Sequence, residues 1–133
     1  MRKRGSESPN WRGTGKISSL LWNGIKGTAL KRGWKFEITI LDAWNQFQKQ
    51  QGLCALTGIP LDLSTFEGHL SERTASLDRI DSQRGYEPGN IQWVYKSINL
   101  MKNNFLEADF IYWCRLVANH MGGLDAKPTE YSS

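Results

Sequence analysis

The chain has 133 residues, 39% of them hydrophobic, and its 17 Lys and Arg residues outnumber 13 Asp and Glu. This length predicts a single domain, and no apolar run approaches the roughly 20 residues that a membrane-spanning helix needs. The basic start of the chain lacks the apolar segment of a secretory signal, so we expect neither a membrane protein nor an exported one.

Positive charge is concentrated at the front of the chain. Residues 1–35 hold nine Lys and Arg with one acid, whereas the later residues hold eight bases and twelve acids. Residues 1–16 are rich in Gly, Ser and basic side chains, which predicts a flexible basic arm. Trp11 in this arm either packs on the domain or stacks on a base. A basic arm beside an acidic half is typical of nucleic-acid enzymes.

Two helices are predicted after the arm. Residues 17–32 place apolar side chains at helical spacing, with Ser18 or Ser19 as the cap. Residues 41–51 repeat apolar side chains every three or four positions, and Thr39 is the cap candidate. A region of partial alternation connects them, so the front half of the domain is predicted to be mainly helical.

A turn-rich region follows the second helix. Residues 53–63 contain a Thr-Gly turn and a Pro that limits any strand there to an edge. Cys54 and Cys114 are the only cysteines, and neither belongs to a CxxC pair, so we expect no structural zinc. We predict that both are buried apolar residues in a reducing cytosol.

Three further segments, at residues 62–74, 105–121 and 124–133, are predicted to be a loop, a helix and a tail. Residues 62–74 are polar and predict a loop, which contains His69. Residues 105–121 predict a strongly amphipathic helix. Residues 124–133 predict a disordered tail, so the folded domain is expected over residues 17–123.

Residues 74–104 form a compact unit in the prediction. Two strand-like runs at 75–80 and 91–95 flank a loop of turn residues, and helical spacing follows at 98–104. This order predicts a ββα unit. Its polar residues fall on the first strand, at the end of the loop and on one face of the helix. They are, in chain order, Asp78, Asn90, Asn99 and Asn103.

The motif pieces LDRID, GY-x-x-GN-x-Q-W-V and IN-x-MK resemble the HNH endonuclease family, in its phage-type branch. Residues 54–58 resemble the knuckle turn that precedes the motif in many members, and the likeness spans residues 33–120. The resemblance implies an α+β fold with a ββα-metal core, flanked by N-terminal helices and a C-terminal helix. It also implies a phage-associated enzyme in the cytoplasm of a bacterial host.

The resemblance further implies a metal-dependent endonuclease that hydrolyses phosphodiester bonds of DNA, most simply double-stranded DNA. Asp78 and Asn99 correspond to the metal ligands, and Asn103 adds a ligand or binds a ligand water. Asn90 corresponds to the residue that holds the loop. One divalent cation is implied, Mg²⁺ or Mn²⁺, because hard ions prefer such oxygen ligands. Whether the enzyme nicks or cuts both strands stays open.

Arg79 stands where most members of the family carry the catalytic His. Arginine keeps its proton and cannot act as a base, but it can clamp a phosphate with two hydrogen bonds. His69 is the best base by residue type, because its ordinary pKa is near 6.5. The alternatives are Asp81, then Tyr86 and Tyr95, or a metal-bound hydroxide with no protein base.

Basic residues along the chain predict the DNA contacts. They are Arg2, Lys3, Arg4, Arg12 and Lys16 in the arm, then Lys26, Lys31, Arg32 and Lys35, with Lys96 and Lys102 beside the motif. Two other functions stay open. One is a DNA-binding module that has lost catalysis, with Arg79 as the mark of that loss. The other is a nuclease directed to RNA or to branched structures, which also needs a basic arm.

Overall fold

A computed structural model describes residues 13–63 and 73–122 of the chain. In this part of the chain the fold is α+β, with four helices and one two-stranded antiparallel sheet. The elements are, in order, α1 (Ser19–Arg32), α2 (Ile40–Lys49), β1 (Ala75–Arg79), β2 (Ile91–Tyr95), α3 (Lys96–Lys102) and α4 (Glu107–Met121). Within the described residues no helix combines the length and the apolar character needed to span a membrane.

The first two helices begin at side-chain caps. The Ser18 hydroxyl accepts a hydrogen bond from the backbone N–H of Leu21 at 3.1 Å, so Ser18 is the cap of α1. Thr39 and Asp42 form a reciprocal capping box at the start of α2, in which each side chain accepts from the other's backbone N–H. The predicted caps of both helices are therefore confirmed.

The two strands form the hairpin that the sequence predicts, and their register aligns the polar residues. Asp78 lies opposite Gln92, and Arg79 lies opposite Ile91. Asn90 holds the connecting loop, because its Oδ1 accepts from the N–H of Asp81 at 2.8 Å. Its amide nitrogen donates to the carbonyls of Asp81 and Gly85 at 3.2 and 2.8 Å. The predicted backbone contacts of Asn90 are thereby confirmed.

Helix α3 is shifted two residues towards the N-terminus relative to the predicted 98–104. It follows β2 without a loop, and it ends at Lys102. Asn103 has a positive φ of 48°, which takes the chain out of the helix. Asn99 and Asn103 therefore do not share a helical face, because only Asn99 belongs to the helix.

The core is built around Trp93 on β2, which is fully buried. Its indole N–H donates to the carbonyl of Ala43 on α2 at 2.8 Å, and its ring meets Phe47 edge-on at 5.9 Å. On the open side of β2, the N–H of Ala55 in the knuckle donates to the Trp93 carbonyl at 3.0 Å. Helix α2 and the knuckle thus fix the second strand from both sides.

The segment between α1 and α2 packs against the hairpin loop. The N–H of Tyr86 donates to the carbonyl of Lys35 at 2.9 Å, and the Phe36 and Tyr86 rings lie 5.7 Å apart. Gly85 is needed at this approach, since a Cβ there would lie 2.6 Å from the Lys35 carbonyl oxygen. This contact brings Trp34 to the end of the first strand.

Helix α4 corrects two predictions. It forms over most of the predicted residues 105–121, but Phe110 is its only buried residue. Trp113, Val117 and Met121, one to three turns further along, are 53%, 61% and 74% exposed. Cys114 is exposed too, whereas Cys54 is buried as predicted. Among the described residues, only the beginning of the apolar stripe of α4 is covered by the rest of the domain, and the remainder of the stripe is exposed.

Candidate active site

A cavity of about 670 Å³ lies between α1 on one side and β1 with α3 on the other. Among the described residues that line it, Asp78 is the only carboxylate. Four of these described residues carry positive charge: Arg32, Arg73, Arg79 and Lys96. The walls of this cavity are therefore suited to an anion with several charged oxygens.

Asp78 is held at the floor of the cavity by two donors. The ammonium of Lys102 lies 2.8 Å from its Oδ2, and the amide of Gln92 donates to the same oxygen at 2.9 Å. Gln92 also donates to Glu107 at 2.7 Å, which links the carboxylate to the first turn of α4. Both bonds fall on Oδ2, and no described residue bonds Oδ1. That oxygen is the one left for another ligand.

Lys102 corrects the list of predicted DNA contacts. Its side chain is 0% exposed, so it has no surface to offer to a phosphate. Besides Asp78, its ammonium donates to the carbonyls of Arg79 and Ile80 at 2.8 and 3.2 Å. A buried ammonium needs such partners, because transfer from water is costly without them. Lys102 is thus an internal counter-charge of the site.

Arg79 is clamped by the protein. Its guanidinium carbon lies 3.5 Å from the centroid of the Trp34 ring. One guanidinium nitrogen, Nη1, donates to the carbonyls of Ser82 and Arg84 at 2.7 and 3.0 Å. Burial lowers the pKa of Arg79, while Tyr86 and Asp78 oppose that change. The ordinary pKa of arginine is so far above 7 that the side chain stays a cation.

The two amides predicted as metal ligands both line the cavity. The Asn99 amide nitrogen donates to the hydroxyl of Ser76 at 2.6 Å. This bond leaves the Asn99 carbonyl oxygen available and fixes the plane of the amide. Asn103 reaches the cavity from the turn after α3, so the structure brings Asp78, Asn99 and Asn103 to one space although they lie on three different segments.

The other predicted nucleic-acid contacts differ in their exposure to solvent, and some of them lie outside the described residues. Lys16, Lys26, Lys31 and Lys35 are exposed on the described surface, and Arg32 is exposed at the cavity edge. Lys96 is half-buried in the cavity wall. Arg2, Lys3, Arg4 and Arg12 lie outside the described residues, as does the candidate base His69.

Two of the alternative bases, Asp81 and Tyr86, form hydrogen bonds with backbone groups. Asp81 does not line the cavity, and its Oδ1 accepts from the N–H of Gln83 at 2.9 Å. The Tyr86 hydroxyl donates to the Leu77 carbonyl at 3.2 Å, and burial raises the pKa of this tyrosine. A phenol with a raised pKa is a poor base at neutral pH. Tyr95 does not line the cavity either.

Sequence reasoning missed four residues of the site: Trp34, Arg73, Ser76 and Gln92. Trp34 and Arg73 are distant from the motif in the chain, and only folding brings them to the cavity. Gln92 could have been found by pairing the two predicted strands, since it lies directly opposite Asp78.

The oxygen atoms of the cavity fit one hard divalent cation. Asp78 Oδ1 and the carbonyl oxygens of Asn99 and Asn103 are the ligand type that Mg²⁺ prefers, and so sparse a set leaves places for water. No group of three or more His, Cys, Asp and Glu side chains lies close enough to hold a metal in the described part of the chain. A site of this kind therefore depends on amide oxygens as well as one carboxylate.

Comparison with solved structures identifies the fold. The chain is similar to the rare-cutting HNH restriction endonuclease PacI, with a TM-score of 0.54 and 21% sequence identity over 84% of each chain. The α+β architecture with its ββα unit is therefore a fold of the HNH type. PacI itself is described as perturbing DNA. No protein-family model matches the chain, and no curated protein matches it significantly.

Proposed function

We propose that this chain is an HNH-type endonuclease that hydrolyses phosphodiester bonds of double-stranded DNA with one divalent cation, Mg²⁺ or Mn²⁺. The main support is the state of Asp78, whose Oδ2 is fixed by Lys102 and Gln92 in a cavity that four described cationic side chains line. The phage-type motif pieces support a phage-encoded enzyme that works in the cytoplasm of a bacterial host.

In this proposal Asp78 and Asn99 would hold the cation, and Asn103 would add a ligand or bind a ligand water. The ion supplies charge neutralisation at the reacting phosphate and at the leaving oxygen. Lys102 and Gln92 orient the carboxylate so that Oδ1 is available. Ser76 does the same for the Asn99 amide. Such outer partners are typically worth about 10- to 100-fold in metal affinity or activity.

Arg79 orients the scissile phosphate rather than removing a proton. Stacking on Trp34 and two carbonyl bonds hold the guanidinium rigid beside Asp78. Only Nη1 is used by these bonds, so the other nitrogens are available to phosphate oxygens. A cation fixed in this way stabilises developing negative charge without reorganising during the reaction.

Proton removal from the attacking water is assigned to His69, or to no protein base at all. Among the described residues that line the cavity, Asp78 is the only carboxylate and there is no histidine. The same observation favours a second candidate function, in which the chain binds DNA and does not cleave it. The two functions give opposite results in a cleavage assay.

The test is conversion of supercoiled plasmid to nicked and linear forms in Mg²⁺, in Mn²⁺ and in EDTA. We expect cleavage with either ion, none in EDTA, and loss of cleavage in Asp78→Asn with DNA binding largely kept. Asp109→Asn is the matched control, because Asp109 is an exposed carboxylate on α4. No cleavage by wild-type protein that binds DNA tightly would favour the binding module.

The cation is tested by titrating Mg²⁺ against the cleavage rate. Asn99→Ala is expected to raise the Mg²⁺ concentration for half-maximal rate at least about tenfold, and Ser76→Ala is expected to raise it less. Asn119→Ala on the exposed face of α4 is the control. Equal Mg²⁺ requirements for Asn99→Ala and wild type would remove Asn99 from the metal site.

A further inference from the structure

Two cations lie together at the end of the hairpin that is remote from Arg79. Arg73 is two residues before β1, and Lys96 is the first residue after β2. Ala75 pairs with Tyr95, and the N–H of Lys96 donates to the Thr74 carbonyl at 2.7 Å. These contacts place both residues at the same end of the sheet, and both side chains line the cavity.

Neither cation has a described acidic partner. Arg73 uses Nη1 to donate to the Ala75 carbonyl, while its Nε is buried with no hydrogen-bond partner. Lys96 is half-buried and makes no described side-chain bond. Asp78 cannot neutralise them, because Lys102 already pairs with it. A partly buried cation pair without a counter-charge is costly, and an anion between the two would remove that cost.

An anion at this end lies at a different place along β1 from an anion beside Asp78. Asp78 is three positions after Ala75 on β1, about 10 Å at the rise of a strand, and Arg73 lies two residues before Ala75. Successive phosphates of one strand in a duplex are separated by about 3.4 Å along the axis. The cavity therefore extends over more than one nucleotide step, and its lining is polar or cationic at both ends.

We propose that Arg73 and Lys96 form a second phosphate subsite, which binds a backbone phosphate of the same nucleic-acid strand whose scissile phosphate lies beside Asp78 and Arg79. The subsite rests on the proposed function for the identity of its ligand. It would hold the strand in register along β1, so that its contribution is to binding and positioning and not to the chemical step.

The experiment compares two substrates that differ in length. Bis(p-nitrophenyl) phosphate carries a single phosphate and cannot reach both ends of the cavity, whereas a duplex of about 20 base pairs can. For Arg73→Gln, Lys96→Gln and the double variant, we expect the KM for the duplex to rise about tenfold more than the KM for the small diester. The kcat for the duplex should change much less than KM. Arg115→Gln is the matched control, because Arg115 is an exposed cation on α4.

Binding without cleavage provides a second readout. In EDTA, the slope of log K against log salt for the duplex should become shallower by about 0.9 in the double variant, as expected for one lost phosphate contact. If Arg73→Gln unfolds, Lys96→Gln carries the test alone, because the Lys96 side chain makes no described hydrogen bond or ion pair that the change would remove. Thermal unfolding of each variant identifies such a case.

Two results separate the subsite from the proposed function. Subsite variants that match Arg115→Gln in both KM and salt slope, in an enzyme that cleaves DNA, overturn the subsite and leave the nuclease intact. A wild-type protein that cleaves neither substrate contradicts the nuclease. In that protein a shallower salt slope for the double variant still supports the subsite, and an unchanged slope overturns it.

Discussion

The ammonium of Lys102 lies 2.8 Å from Oδ2 of Asp78, and the two side chains are 0% and 5% exposed. The residue that the motif presents as a metal ligand is thus one half of a buried ion pair. Lys102 is the last residue of α3 and lies against β1. Its ammonium also donates hydrogen bonds to the backbone carbonyls of Arg79 and Ile80.

Removal of Lys102 is expected to destabilise the fold. Lys102→Met leaves the Asp78 carboxylate buried without its counter-charge, which typically costs about 3–5 kcal/mol. The double variant with Asp78→Asn should lose less than the sum of the two single changes, because neither charge is then left alone. Urea denaturation of all four proteins measures the coupling, with the exposed Lys49→Met as a control. Additive losses would show that the pair does not contribute to stability.

Arg79→His is expected to lower cleavage rather than restore a general base. The change removes two hydrogen bonds to carbonyls and the contact with Trp34, so the histidine is not held beside Asp78 in the same way. We expect kcat/KM for plasmid DNA to fall in Arg79→His, whereas the pH profile of the rate should shift in His69→Ala if His69 is the base. Comparison with Trp34→Phe and Trp34→Ala tests the stacking, since only the alanine change removes the ring. A rise in the cleavage rate for Arg79→His would contradict the proposal that Arg79 orients the scissile phosphate.

Because Tyr86 is buried, we expect the protein to lose stability at alkaline pH. Burial raises the pKa of Tyr86, so its neutral form stabilises the fold. This contribution is complete below the ordinary tyrosine pKa of about 10 and is lost as the pH rises from there towards the raised value. Tyr86→Phe should flatten the fall in the free energy of unfolding above pH 10. The exposed Tyr112→Phe is the control and should follow wild type, whereas identical curves for all three proteins would contradict the prediction.

The basic arm is tested by deletion of residues 1–12, which removes Arg2, Lys3, Arg4 and Arg12. The deletion stops before Thr14, whose backbone exchanges two 2.9 Å hydrogen bonds with Ile17. Affinity for DNA should fall for all sequences alike. The salt slope should become shallower by about 0.9 for each phosphate contact that is lost. An unchanged slope would show that the arm does not touch DNA.

Local signals in the sequence were sufficient for the ββα unit. Strand residues at 75–79 and 91–95, turn residues between them and the caps Ser18 and Thr39 act over a few positions, so they can be recognised without a fold. Asn90 was predictable for the same reason, because its side chain bonds backbone groups of its own loop.

The tertiary structure alone decided which side chains meet across the chain. Lys102 has the sequence signature of a surface lysine, and only the packing of α3 under β1 buries it against Asp78. Trp34 and Arg73 enter the cavity because the segment before α2 and the chain before β1 converge on Arg79 and Lys96. The period of α4 revealed its apolar stripe but not how much of it is covered, since burial depends on what another element places against that face. Sequence spacing fixes directions along one element, whereas contacts between elements follow from the packing of the whole chain.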